Sequence, residues 1–70
     1  MANTYTALTK QDNGWWIGWI KEVPGVNCQE KTREALLESL RVTLAEAIEF
    51  NREEAVRAAT SGYTEELLTV

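Results

Sequence analysis

Asn13-Gly14 stands between two β-prone runs, Thr4 to Lys10 and Trp15 to Val23. Both residues of that dipeptide tolerate the positive φ a type I′ turn demands, so the two flanks fold back on each other as an antiparallel hairpin. Pro24-Gly25 then supplies a second turn, proline fixing φ and glycine accepting φ > 0. Val26 to Gln29 follows as a short third strand. Three strands joined by two tight turns form a meander, with each strand beside its neighbour in sequence.

From Thr32 the pattern changes period. The Thr32 hydroxyl can cap a helix, and Glu34 lies in the first turn, where the helix dipole favours a negative charge. Leu36, Leu40, Leu44 and Ile48 recur at every fourth position, with Leu37 and Ala47 beside them, which makes one apolar helix face. The stripe stops at Asn51, and Glu54 falls on the same face. A second helical stretch, Arg52 to Thr60, carries Ala55, Val56, Ala58 and Ala59, and Gly62 is a stop signal. Tyr63 to Val70 reads as a fourth strand, interrupted by Glu65 and Glu66.

A single run from Thr32 to Thr60 would be about 42 Å long at ~1.5 Å per residue. A seven-residue strand covers only ~23 Å. Two solutions are open: a break near Asn51, or an overhang covered by a second subunit.

The chain has 70 residues and reads as one domain. A chain this short buries only about 60% of its unfolded surface. Cys28 is its only cysteine and it has no histidine, so neither an internal disulfide nor a zinc site is expected. Self-association is the remaining aid, and a homodimer is the expectation. No cofactor is implied. The formal charge of −4, with seven dispersed Lys and Arg, argues against direct nucleic-acid binding and suits a basic partner. No run approaches the ~20 apolar residues of a membrane span. Met1 to Tyr5 is polar and opens no signal peptide, which places the protein in the cytoplasm.

Three tryptophans crowd the second strand. Trp15, Ile17 and Trp19 point to one side; Trp16, Gly18 and Ile20 point to the other. Both faces of the central strand are therefore apolar, while one helix layer covers only one. One side is core; the other packs under the C-terminal segment or is an interface. Trp15, Trp16, Trp19 and Tyr63 are the interface candidates.

Catalysis is not expected. Asp12 is the only aspartate and sits in a turn, and Glu22 has no acidic companion. Metal-assisted cleavage needs several carboxylates converging on the ions. A Cys–His pair is excluded for want of histidine, and Cys28 reads as a small buried hydrophobe. Glu53 and Arg57 make a solvated i,i+4 pair.

The order of these pieces carries a resemblance. Asn13-Gly14-Trp15-Trp16-Ile17-Gly18-Trp19-Ile20, then Val23-Pro24-Gly25-Val26, then Thr32-Arg33-Glu34-Ala35-Leu36, resembles the HicB-like antitoxins of HicA–HicB toxin–antitoxin systems. The similarity runs over about residues 4 to 50. Glu30 departs from it, standing where that family commonly has glycine before the helix. The resemblance implies an α+β fold, partial ribonuclease-H-like, with a helix packed on one face of the sheet. It also implies binding and masking of a HicA-type toxin, a small basic ribonuclease that cuts messenger RNA. Longer relatives add a helix-turn-helix or ribbon-helix-helix region that binds operator DNA; no such module is present in these residues. The alternative reading is a solitary HicB-like interaction module that assembles with itself and has no toxin.

Overall fold

The computed structural model describes residues 4–69. Its elements are β1 (Ala7–Asp12), β2 (Trp15–Ile20), β3 (Asn27–Glu30) and one helix, α1 (Arg33–Ala59). The strands form an antiparallel sheet in the order β1-β2-β3. The class is α+β.

Asn13 and Gly14 take φ of 53° and 81°, and the hairpin register pairs Asp12 with Trp15 across the two-residue turn. β1 thus begins and ends later than the expected Thr4 to Lys10, because the tight turn draws Gln11 and Asp12 into the ladder. β2 stops at Ile20 rather than Val23. The Val23 amide donates to the Ile20 carbonyl at 3.3 Å, so the chain is already turning, and Gly25 completes the reversal at φ 91°. β3 lies one residue later than Val26 to Gln29, because Val26 closes the turn: its carbonyl accepts from the Ile20 amide at 3.2 Å.

Thr32 caps α1, its hydroxyl oxygen accepting from the Ala35 amide at 3.1 Å. The helix then runs unbroken to Ala59, so of the two solutions left open by the sequence, the overhang is the one adopted. Asn51 does not interrupt the ladder. Its neighbours Ala55, Ala58 and Ala59 favour helix, and Arg52 pairs with Glu49 at 4.0 Å while Arg57 reaches both Glu54 and, at 3.9 Å, Glu53.

The core lies where α1 crosses β2 and β3. Ile20, Val26, Leu36 and Leu40 are buried, with Tyr5, Trp16, Val23, Cys28, Leu44 and Ala47 packed around them. Gly18 permits the close approach: a Cβ there would stand 3.0 Å from the Leu8 carbonyl oxygen and 3.1 Å from methyl carbons of Leu36 and Leu40. Cys28 is half-buried, its sulfur 3.5 Å from the Thr43 hydroxyl.

Beyond Ile48 every helical residue, Glu49 through Ala59, is exposed. That is about 16 Å of helix with nothing against it. The radius of gyration is 15.4 Å, against about 11 Å for a compact chain of this length. Past the helix, Tyr63 to Thr69 is not a strand; Val70 lies outside the described residues. The expected fourth strand is therefore not formed, since a strand needs a ladder partner and this segment starts at the far end of the overhang. Among the described residues no helix is long and apolar enough to cross a membrane.

Candidate interaction surface

The hairpin register decides what shares a face. Across β1 and β2, Leu8 pairs with Trp19, Lys10 with Ile17, and Asp12 with Trp15. On the other side of β2, Gln29 opposes Ile17 and Asn27 opposes Trp19. Side chains alternate along a strand, so Leu8, Trp15, Ile17 and Trp19 lie together on the sheet face turned away from α1. No described element covers that face.

Its centre is apolar and open. Leu8 is 38% and Trp19 39% exposed, while Trp15 and Ile17 are half-buried by their neighbours. Lys10, Asp12 and Lys31 form its rim, and the Lys31 ammonium lies 3.8 Å from the Trp15 ring centroid. A cation so placed is drawn to the π-face of indole and shields one side of it. Large aromatic groups ringed by polar side chains are the arrangement that carries most binding energy at protein interfaces.

The four candidate residues do not converge. Trp15 and Trp19 share the outer face. Trp16 faces the helix, half-buried and packed against the core. Tyr63 is exposed beyond the end of α1. Leu8 belongs to the surface but gives no signal in the sequence by itself; the hairpin register, fixed by Asn13-Gly14, was the information that places it beside Trp19.

β1 is exposed at all six positions. The helix crosses the other two strands, so beside β1 a groove of about 350 Å³ opens between sheet and helix, lined by Tyr5, Ala7, Ile20, Leu37, Leu40, Arg41 and Leu44.

The acidic groups are dispersed. Glu22 accepts from the Thr6 amide at 2.8 Å and the Thr6 hydroxyl at 2.7 Å, and these bonds, the backbone one foremost, lower its pKa below the usual 4.5. Glu30 accepts from the Ser39 hydroxyl at 2.7 Å, tying β3 to α1. Among the described residues no three of His, Cys, Asp and Glu come together as metal ligands.

Comparison with protein-family models, with curated proteins and with solved structures finds no match for this chain.

Proposed function

We propose that this chain is a HicB-like antitoxin domain that binds and masks a HicA-type toxin, a basic ribonuclease acting on messenger RNA in the cytoplasm. The observation that carries the reading is the uncovered apolar face built by Leu8, Trp15, Ile17 and Trp19 on a chain of net charge −4. The aromatic face supplies the contact. The acidic surplus draws a basic partner into encounter, an effect that weakens as salt screens it. The protein does no chemistry in this mechanism; it blocks the toxin sterically, and it does so as a homodimer. Direct contact with nucleic acid is not part of it.

The test is genetic and direct. A short basic reading frame beside this gene is expressed with and without it. Growth arrest relieved by co-expression, with the two proteins co-purifying, is the expected result. Arrest that persists despite stable expression of both counts against the reading.

A second reading has its own observation. The bare end of α1 calls for cover from another copy whether or not a toxin exists. A solitary interaction module that only self-assembles would show the same overhang, and would have no toxic neighbour.

A further inference from the structure

The C-terminal segment cannot be used where it lies. Leu67 is 100% and Leu68 91% exposed, adjacent leucines in full contact with water. The segment has left its own sheet behind. To return beside β1 it must first retrace the bare helix from Ala59 to Glu49, about 16 Å, which uses roughly five extended residues. Those residues, Thr60 to Thr64, would be ordered along the exposed flank of the helix, where Phe50 and Val56 are the large exposed apolar groups, a loss of conformational entropy with little burial to offset it. Tyr63 and Thr64 would then be spent before the sheet is reached.

The chain also leaves the helix under strain. Thr60 is β-branched and holds φ at +58°, and Gly62 follows at φ +77°. Strained hinges between an element and its docking site favour exchange of that element between copies.

We infer that two copies of this chain exchange their C-terminal segments, residues Tyr63–Thr69 of one copy adding as a strand to the open edge of β1 in the other. The inference rests on the two-fold association proposed above and not on the identity of any toxin. β1 is an edge strand with its outer row of backbone donors and acceptors unpaired by another strand. It is also uncovered on both faces, which an added strand with leucines at successive positions matches, since successive side chains point to opposite faces. Leu67 then enters the groove bounded by Tyr5, Ala7, Leu40 and Leu44, and Leu68 lies on the outer face beside Leu8. The same alternation puts Glu66 on the outer face with Lys10, which makes no ion pair among the described residues. The exchange leaves Trp15 and Trp19 open to a partner.

The full chain carrying Leu8→Cys and Leu68→Cys, with Cys28→Ala, distinguishes the arrangements under a mild oxidant. Exchange gives a two-chain species on a denaturing gel without reductant, converted to single chains by reductant, that neither Leu8→Cys nor Leu68→Cys alone produces in the same Cys28→Ala background. A single chain closed on itself, or no cross-link at all, overturns the exchange. Light scattering of the same protein separates this from the broader reading. A dimer in solution that lacks the inter-chain link leaves the association standing on another surface; a monomer overturns both. The full chain with Leu67→Asp and Leu68→Asp gives an independent measure. Both positions are exposed and outside α1, so helical content is kept, while dimerisation weakens on the order of tenfold or more. Unchanged dimerisation by this variant overturns the exchange as well.

Discussion

Leu36 closes directly on Gly18, its methyl carbon 3.1 Å from where a side-chain carbon on Gly18 would begin. The carbonyl oxygen of Leu8 stands 3.0 Å away on the other strand, so the site is bounded by backbone as well as by side chains. Gly18→Ala therefore lifts the helix from the sheet although alanine suits a strand better than glycine does. A loss of about 1–3 kcal/mol is expected from overpacking. Urea unfolding followed by far-ultraviolet circular dichroism measures it, and a midpoint equal to the parent's would contradict the close approach.

Acid should weaken the junction between Thr6 and Glu22. The Glu22 carboxylate accepts two bonds from Thr6, and its pKa lies below the ordinary 4.5. A depressed pKa means that the contribution to stability is complete above the unfolded value and is lost as pH falls through the folded one. Glu22→Gln should flatten that acid limb and leave neutral-pH behaviour nearly unchanged. A carboxyl carbon shift followed by NMR, titrating at or above 4.5, would refute the assignment.

Thr60→Gly should firm the end of α1. Glycine takes positive φ without the ~1–2 kcal/mol that a side chain there costs, and it is the residue most often found just past a helix end. Amide exchange in the last two turns should slow severalfold. The global unfolding midpoint should hardly move, because no core residue lies within ten positions of Thr60.

Trp19→Ser tests the outer face. Its ring is 39% exposed and its backbone pairs with Leu8 and Asn27, so the fold survives the change. Loss of an aromatic anchor typically costs 2 kcal/mol or more, about thirtyfold in affinity. If the chain masks a basic toxin as proposed, calorimetry against that protein should show the loss, with self-association unchanged. A dimer that dissociates instead would support self-assembly as the role of this face.

The sheet was legible because its turns are written in residue types: Asn13-Gly14 and Pro24-Gly25 fix two reversals, and strand alternation does the rest. Thr32 is equally plain as a cap. The sequence misleads where tertiary contacts do not decide the outcome. Asn51 ends the apolar stripe, which suggested a break, but hydrophobic pattern reports which face packs and not where the hydrogen-bond ladder stops. Tyr63 to Val70 has strand-forming residues, yet a strand exists only beside another strand, and that depends on where the helix delivers it. On the candidate surface, Trp15 and Trp19 were separable from Trp16 by parity along β2; Leu8 required the register.

α1 is one element by geometry and two by local stability. Its first half is anchored by Leu36, Leu40 and Leu44, so opening its amides requires undoing the core. From Glu49 to Ala59 it is a free-standing peptide of eleven residues held only by its own ladder and by glutamate–arginine pairs worth a few tenths of a kcal/mol each. Helices shorter than about 12–15 residues are marginal in water on their own. In a lone chain the distal half should therefore open more readily than the proximal half, and heating should remove ellipticity in two stages, an early shallow slope from the tip followed by a cooperative step from the core.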